Sequence, residues 1–324
     1  MTLYLTGPTA IEYWRRFQPP ARKRTRIALP FGLKSASTGS EFKLGDLAAL
    51  DGAGLAGLSE PIHLLVSDAS FRRRSDRVTF HVCSQTLPEN SFVKASRDVL
   101  VSAPELACIT SASSTSFPLF VELLYELCGY YRLPWGRAGA CVEMPPATSV
   151  SCLRAFAERV RGMRGAEMLK RAVRYACDNS LSPMETDIAE AMVLDPRMGG
   201  FGIAKPQLNP RFEVARKNRR MLPQSSYMPD LYWPQACLSV EYDSDKHHNG
   251  DRRIAEDAIR RNGIEHLGTR VITMTWGQAN DYCEFERIAL MVSHALGKRF
   301  GPGWNKWAKK RRELHQLLVR RRVG

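Results

Sequence analysis

The chain has 324 residues and carries 47 lysines and arginines against 33 aspartates and glutamates, a formal net charge of +14. This length is enough to bury two hydrophobic cores, and the basic balance is typical of proteins that bind phosphate backbones. The sequence contains no apolar run long enough to cross a membrane, and its eight cysteines form no CxxC pair and no Cys/His cluster at zinc-ligand spacing. Membrane-spanning and structural zinc proteins are therefore excluded, and a reducing cytoplasm is the expected location.

Residues 1–150 are predicted to form a smaller α+β domain. An amphipathic stretch, TAIEYWRRF, comes first, and from Pro61 the pattern turns to short strands. The runs IHLLVSD and VTFHVC are separated by FRRRSDR, which predicts a meander with Arg72–Arg74 at a hairpin tip. Those arginines are then either solvated or in contact with a phosphate. A Ser/Thr-rich turn leads into an apolar helix, FPLFVELLYELC, and Pro145-Pro146 marks the end of the domain.

The second predicted domain, residues 151–300, begins with helical patterns. Apolar residues recur at helical spacing from Ser151 to Cys177, so a basic helix is predicted over that segment. Ser182 and Glu185 then have the spacing of a capping box, in which each side chain accepts a hydrogen bond from the backbone N–H of the other residue. This box predicts the start of a further amphipathic helix.

The segment Tyr227 to His248, YMPDLYWPQACLSVEYDSDKHH, predicts two short strands joined by a proline turn. Because side chains alternate along a strand, the second strand places Glu241 and Asp243 on one face and its apolar residues on the other. Asp230 would lie beside them on the first strand. Ionised carboxylates in a sheet cost free energy unless they are paired or bind a metal, so packing alone does not account for this grouping. Cys237 is predicted to face the core as a small hydrophobic residue.

An oxygen-rich cluster of this kind suits Mg²⁺, which binds one or two carboxylates together with waters and substrate phosphate oxygens. Such an ion polarises a phosphodiester and lowers the pKa of an attacking water. His247 and His248 follow the carboxylates and could protonate the leaving oxygen or hold the phosphate, because imidazole titrates near neutral pH. The alternative is that DSDKHHNGDRR is an exposed loop whose charges are solvated.

The C-terminal part of the chain contains two more predicted helices. The first runs from Asp251 to Gly263 and places Asp257 and Arg260 three residues apart, as neighbours on one face. The second is a basic amphipathic helix in residues 301–324. It either packs against the rest of the chain with a charged outer face or contacts phosphates directly. The candidate nucleic-acid-binding residues on it are Lys309, Lys310, Arg311 and Arg312.

Two motifs resemble a known nuclease superfamily. Pro229-Asp230, with ten residues between it and Glu241–Asp243, resembles the signature of PD-(D/E)XK nucleases. More narrowly, VEYDSDKHH, then Asp257 with Arg260, and then Gly268 eight residues after that arginine are similar to a domain family related to very-short-patch repair (Vsr) endonucleases. The resemblance implies a restriction-endonuclease-like fold in the C-terminal half, a mixed α/β sheet flanked by helices, and hydrolysis of phosphodiester bonds in DNA.

The same resemblance implies a role for each residue of the site. Asp230 and Glu241 would hold Mg²⁺ or Mn²⁺, and Glu185 would join them, in competition with its capping role. Asp243 stands where the signature usually has lysine, so Asp243 and His247 would act on the attacking water and the leaving group. The supporting residues would be Lys246, His248, Asp257 and Arg260.

The N-terminal half, with its strands, Ser-rich turn and helix, is similar to the effector half of AbiEi-like antitoxin proteins. Two functions therefore compete. The first is a cytoplasmic, Mg²⁺-dependent DNA endonuclease in a defence or toxin–antitoxin setting. The second is a regulator or antitoxin-like factor that keeps the nuclease fold and binds DNA without cleaving it. A structural module for protein interaction is the third alternative, because a fold does not by itself establish chemistry.

Overall fold

The chain forms two compact units in a computed structural model, and both mix helices with sheets, as predicted for an α+β protein. One unit comprises Met1–Cys128 and Arg132–Arg174, and the other comprises Gly129–Tyr131 and Tyr175–Gly324. The structure describes residues 2–17, 43–71, 75–135, 140–243, 250–301 and 303–319, with the backbone alone over 250–257. The main division falls between Arg174 and Tyr175. The segment 151–174, predicted to open the second domain, therefore belongs to the first unit.

A five-stranded mixed sheet forms the centre of the first unit. Its strands are β1 (Leu3–Leu5), β2 (Ile62–Val66), β3 (Val78–Val82), β4 (Phe92–Lys94) and β5 (Val99–Ser102), in the order β3-β2-β1-β5-β4. The predicted meander is wrong at β2 and β3, which run parallel with Ile62 opposite Val78. Because a tight hairpin turn cannot join parallel strands, the segment between them is a crossover. Arg72–Arg74, predicted at the hairpin tip, lie outside the described residues. A separate two-stranded sheet consists of β6 (Tyr131–Arg132) and β7 (Val142–Glu143).

The described part of the first unit also contains six α-helices. They are α1 (Gly7–Arg16), α2 (Ala48–Gly52), α3 (Pro104–Ser111), α4 (Phe117–Cys128), α5 (Val150–Arg159) and α6 (Ala166–Ala172). The amphipathic stretch TAIEYWRRF lies in α1 up to Arg16, and the apolar helix predicted from the sequence is confirmed as α4. The helix predicted over 151–177 is instead two helices, α5 and α6. Gly162 and Gly165 between them have φ of +82° and +95°, a left-handed conformation that interrupts an α-helix.

The second unit is built on a mixed sheet of four strands. The strands of this unit are β8 (Gln207–Leu208), β9 (Phe212–Glu213), β10 (Ser226–Tyr227), β11 (Leu231–Trp233), β12 (Leu238–Asp243) and β13 (Arg270–Thr275). The four-stranded sheet has the order β13-β12-β11-β8, while β9 and β10 form an antiparallel pair of their own. The predicted hairpin is confirmed as β11 and β12. Cys237, predicted to face the core, is exposed, because it ends the hairpin turn with φ of +43° before β12 begins.

The described helices of the second unit complete its fold. They are α7 (Pro183–Val193), α8 (Gly250–His266), α9 (Trp276–Asn280), α10 (Tyr282–Ala295) and α11 (Ala308–Leu318). The helix predicted from Asp251 to Gly263 is confirmed as α8 and continues to His266. It stops there because Gly268 adopts φ of +88°, the usual conformation just beyond a helix end. Among the described residues of both units, no helix combines the length and the apolar character needed to span a lipid bilayer.

The second half of α8 packs against β10 through an apolar cluster. Val214, Leu222, Tyr227 and Ile264 are buried together in this cluster. A Cβ added at Gly263 would lie 2.2 Å from the ring of Tyr227, so only glycine allows the helix and the strand to approach this closely. The contact therefore determines where α8 lies and where the side chains one turn earlier on it point.

We expect Gly263→Ala to destabilise the second unit by about 1–3 kcal/mol, the typical cost of overpacking a filled core. The gain in helix propensity, about 1 kcal/mol, offsets only part of that cost. Urea unfolding of the variant and the wild type measures the difference. Gly277→Ala in α9 is the matched control, since its Cβ would meet no atom closer than 4.0 Å. Equal stability changes in the two variants would contradict the close contact at Tyr227.

Candidate functional site

Two carboxylates meet on the β11–β12 hairpin. The strands are antiparallel, with Leu231 opposite Val240, so Asp230 and Glu241 are neighbours across the pair. The backbone N–H of Asp230 donates to Glu241 Oε1 at 3.2 Å, and the backbone N–H of Tyr242 donates to Asp230 Oδ2 at 2.8 Å. These reciprocal bonds hold both carboxylates in one place, as the spacing in the sequence predicts.

The strand that carries Glu241 is buried on both faces. Its first three residues, Leu238, Ser239 and Val240, are fully buried, and Glu241 and Asp230 are only 5% and 8% exposed. The face that carries Ser239 and Glu241 is therefore covered, as the apolar face is. A carboxylate shielded from water in this way is costly unless a partner compensates its charge.

Arg260 supplies that partner from α8. Its Nη1 lies 3.3 Å from Asp230 Oδ1, and its Nη2 lies 3.1 Å from Glu241 Oε2. The planar guanidinium is suited to such two-point contacts with carboxylates. Arg260 lies one helical turn before Gly263, so the packing of Gly263 on Tyr227 brings the guanidinium to the carboxylate pair.

Glu185 approaches the same region from the first turn of α7. The hydroxyl of Ser182 accepts a hydrogen bond from the backbone N–H of Glu185 at 3.2 Å, which is one half of the predicted capping box. The other half is wrong, because the Glu185 carboxylate accepts from the N–H of Leu181 at 3.0 Å rather than from that of Ser182. Its Oε2 also accepts from Asn209 Nδ2 at 2.7 Å.

Asn209 is a site residue that the sequence analysis does not identify. Its side chain holds Glu185, while its backbone N–H donates to the carbonyl of Asp230 at 3.0 Å, so it links α7 to the hairpin. The one signal in the sequence is the Asn-Pro dipeptide with Pro210, which is typical of a turn. The turn is present, with Asn209 at φ of +49°, but a turn signal says nothing about a partner from a helix.

Burial and the negative charge of Asp230 raise the pKa of both glutamates, Glu241 and Glu185. The pKa of Glu241 is raised to about 7, chiefly by burial and secondly by the negative charge of Asp230, while Arg260 acts in the opposite direction. The pKa of Glu185 is raised to about 7 by the same two causes in the same order. Asp230 therefore lies close enough to influence both. Groups that exchange protons near neutral pH are typical of catalytic sites.

The donor set fits a hard divalent cation bound by two protein carboxylates. Glu241 Oε2 is buried and has no partner in hydrogen-bond geometry, although Arg260 lies within ion-pair distance of it. The positive charge of Arg260 still compensates this oxygen, because opposite charges attract without strict angular requirements. Within the described residues, no group of three or more His, Cys, Asp and Glu side chains could hold a metal ion together. Mg²⁺ does not need such a cage, since one or two carboxylates with waters and phosphate oxygens suffice.

The structure describes the remaining predicted site residues only in part. Asp243 is the last residue of β12, half-buried, and lies opposite Thr275 of the parallel strand β13. Asp257 falls in the part of α8 where only the backbone is described. Three predicted residues, Lys246, His247 and His248, fall in 244–249, outside the described residues, and their roles stay predictions.

The C-terminal helix α11 packs within the second unit rather than forming a separate segment. Its apolar face is buried through Leu314 and Leu318, and it contacts α7. Arg311, predicted to bind nucleic acid, is buried instead. Its Nε lies 3.3 Å from Glu286 Oε1, and Nη1 donates to the carbonyl of Trp304 at 2.9 Å. The guanidinium of Arg311 therefore stabilises the fold through these two partners, and it is not exposed for contact with a nucleic acid.

The other three basic residues predicted to bind nucleic acid lie at the surface. Lys310 donates to the carbonyl of Arg197 at 2.9 Å, so it too has an intramolecular role. Lys309 and Arg312 are exposed. Direct phosphate contact by α11 is therefore a prediction for Lys309, Lys310 and Arg312 only.

Comparisons with protein-family models, with curated proteins and with solved structures returned no match for this chain. The function therefore has to be argued from the carboxylate pair and its surroundings.

Proposed function

We propose that the second unit is a Mg²⁺-dependent nuclease with a restriction-endonuclease-like fold that hydrolyses phosphodiester bonds in DNA. The observation that carries this proposal is the carboxylate pair on the β11–β12 hairpin. Asp230 and Glu241 are tied together by hydrogen bonds and share one guanidinium, that of Arg260. Glu185 joins from a separate helix, within range of the Asp230 charge. The mixed four-stranded sheet, which α8 contacts at β13, supports the proposed fold.

Each residue has a defined part in this proposal. Mg²⁺ held by Asp230 and Glu241 would polarise the phosphodiester and lower the pKa of the attacking water. Arg260 orients the two carboxylates through its separate contacts to Asp230 Oδ1 and Glu241 Oε2. Glu185, with a pKa of about 7, can accept a proton from water at neutral pH, as a general base must. Asn209 holds Oε2 of Glu185, which leaves Oε1 for the proton.

A second function is favoured by the same arginine. Arg260 brings a positive charge to the carboxylate pair, and an arginine in that position can stabilise the fold without any catalysis. The protein would then be a regulator or antitoxin-like factor that keeps the nuclease fold and binds DNA. The difference between the two functions is whether a divalent cation binds at the pair beside Arg260.

Supercoiled plasmid incubated with the purified protein and Mg²⁺ or Mn²⁺ separates the two functions. The nuclease predicts nicked or linear plasmid that requires the divalent ion, with loss of cleavage in Glu241→Gln and in His247→Ala. The regulator predicts that plasmid is retained in a gel-shift assay and is not cleaved. Equal nicking by the wild type and both variants would point to a contaminating nuclease and would remove the support for an enzyme.

The raised pKa values predict how pH changes the stability of the metal-free protein. Both glutamates have a higher pKa in the folded protein than their ordinary value of 4.5, so the folded protein binds their protons more tightly. Their contribution to stability is therefore complete below about pH 4.5 and is lost as the pH rises through about 7. We expect the melting temperature of Glu185→Gln/Glu241→Gln to fall less than that of the wild type between about pH 5 and about pH 8, measured by scanning fluorimetry.

Mg²⁺ provides a further readout in the same assay. A cation competes with protons for the carboxylates, so it should raise the melting temperature of the wild type more at about pH 8 than at about pH 5. Glu265→Gln, on an exposed part of α8, is the control and should behave like the wild type. Parallel curves for the wild type, the control and the double variant would contradict a metal site at these carboxylates.

A further inference from the structure

The chain makes one excursion between two residues of the site. It leaves at Asn209, forms the β9–β10 pair and returns at Asp230, and the two ends are joined by the hydrogen bond from the Asn209 N–H to the Asp230 carbonyl. Phe212 of β9 packs edge-on against Tyr232 of β11, with ring centroids 4.8 Å apart. The excursion is therefore fixed to the hairpin that carries the carboxylates.

The tip of this excursion is strongly basic. Ala215–Met221, hereafter the basic loop, has the sequence ARKNRRM and contains no acidic residue. Its four cations are exposed, and among the residues that the structure describes none of them forms an ion pair. Other exposed arginines of the second unit behave differently: Arg211 pairs with Glu213 at 2.6 Å, and Arg287 pairs with Glu284. The cations of the basic loop are Arg216, Lys217, Arg219 and Arg220.

The basic loop is held in shape despite the mutual repulsion of its charges. A short 3₁₀ turn covers Arg216–Asn218, and the backbone N–H groups of Met221 and Leu222 both donate to the Asn218 carbonyl at 3.0 Å. On either side of the loop, Val214 and Leu222 are buried in the apolar cluster with Tyr227. Apolar burial therefore keeps four like charges together at the surface, where a partner with several negative charges would compensate them.

We propose that the basic loop binds the phosphate backbone of the nucleic acid next to the carboxylate site, an inference that rests on the proposed function for the identity of the substrate. Each cation of the basic loop is at most ten residues from Asn209 or from Asp230, so the loop lies within roughly 35 Å of the site along the chain. With one phosphate per about 3.4 Å of each DNA strand, its contacts fall on the order of ten nucleotides or fewer from the carboxylates. Arginine and lysine bind phosphates without reading bases, so the loop supplies affinity and register rather than sequence preference.

The experiment compares two variants of the full-length protein that lose the same charge. The loop variant carries Arg216→Gln, Lys217→Gln, Arg219→Gln and Arg220→Gln. The control variant changes four exposed arginines of the first unit, Arg154→Gln, Arg159→Gln, Arg164→Gln and Arg174→Gln. Fluorescence anisotropy measures the binding of labelled duplex DNA, single-stranded DNA and duplex RNA in EDTA, so that no cleavage interferes, over a series of salt concentrations.

We expect the loop variant to bind duplex DNA about tenfold or more weakly, while the control variant stays within about twofold of the wild type. The magnitude of the slope of log K against log salt should fall by about 3.6 in the loop variant, because each of its four lost phosphate contacts removes about 0.9. Equal weakening in both variants would attribute the effect to net charge and overturn the proposal, as would unchanged binding by the loop variant. Loop-dependent binding of polyglutamate as tight as that of DNA would also overturn it.

The binding experiment tests the basic loop and the plasmid assay tests the nuclease, so either proposal can fail without the other. If the wild type binds DNA through the loop and cleaves no plasmid with Mg²⁺ or Mn²⁺, the nuclease fails and the basic loop stands as a binding surface. If the wild type cleaves plasmid and the loop variant binds and cleaves equally well, the loop assignment fails and the nuclease stands.

Discussion

Asp230→Asn is expected to reduce metal-dependent plasmid cleavage by roughly 10²- to 10³-fold, the usual effect of removing one electrostatic contact to the reacting group. Asparagine keeps the size of the side chain and an oxygen that accepts the hydrogen bond from the Tyr242 N–H, which lies 2.8 Å from Oδ2. It removes the negative charge that a divalent cation requires and that Arg260 contacts at 3.3 Å. Nicking rates at saturating Mg²⁺ measure the loss.

The same substitution has a consequence that can be read without any cleavage. Because the charge of Asp230 raises the pKa of both Glu185 and Glu241, its removal should lower both values. Carbon-13 NMR titration of the glutamate carboxyls measures the change. Glu265→Gln is the control for the loss of one carboxylate charge from the same unit. Wild-type cleavage rates in Asp230→Asn, together with unchanged glutamate pKa values, would remove Asp230 from the centre of the site.

Arg311→Met is expected to lower the free energy of unfolding of the second unit by about 2–4 kcal/mol, somewhat less than breaking a fully buried ion pair, because the Glu286 side chain is 26% exposed. Arg311 is 2% exposed, and its guanidinium lies 3.5 Å from the centroid of the Trp304 ring. Methionine keeps much of the apolar volume but leaves Glu286 without its cation and the Trp304 carbonyl without its donor. Urea unfolding followed by tryptophan fluorescence measures the change.

Lys309→Met is the matched control for this prediction. The Lys309 side chain is 90% exposed and lies 3.8 Å from Glu313, so its loss should change the stability by no more than about 0.5 kcal/mol. A similar loss of stability in both variants, or none in Arg311→Met, would contradict the packing of α11. The contrast also tests a general point: in a helix with a run of cations, position on the helix decides which one belongs to the core.

The carboxylate site could be predicted in part from the sequence because its signals are local. Asp230 and Glu241 are separated by one hairpin, so the proline turn and the alternation along β12 are enough to bring them together. Arg260 lies on a helix that the sequence predicts, and the resemblance already implies a supporting role for it, although its contact with both carboxylates comes from the structure. The Ser182 cap of Glu185 was likewise predictable, because it depends on a spacing of three residues.

Other features depended on contacts between distant segments. The parallel pairing of β2 and β3 was not predictable from their turn-like connection, because the direction of a strand depends on its hydrogen bonding and packing with the other strands of the sheet. Asn209 reached the site through a bond to a helix that lies 24 residues earlier in the chain. The basic loop looks in sequence like any solvated charge run, and only the bond between Asn209 and Asp230 shows that the excursion carrying it begins and ends at the site.

The sequence by itself determined some of the local conformations of this protein: the helices α4, α7, α8 and α11, the β11–β12 hairpin and the grouping of acidic residues on it. These follow from periodicity, turn residues and capping, which act over a few residues. Only the tertiary structure decided which charges are compensated and which are left exposed. Arg260 became the partner of two buried carboxylates and Arg311 that of the half-buried Glu286, whereas the cations of the basic loop remained at the surface. The reason is that the cost of burying a charge depends on the groups that surround it in space, and those groups come from segments far apart in the chain.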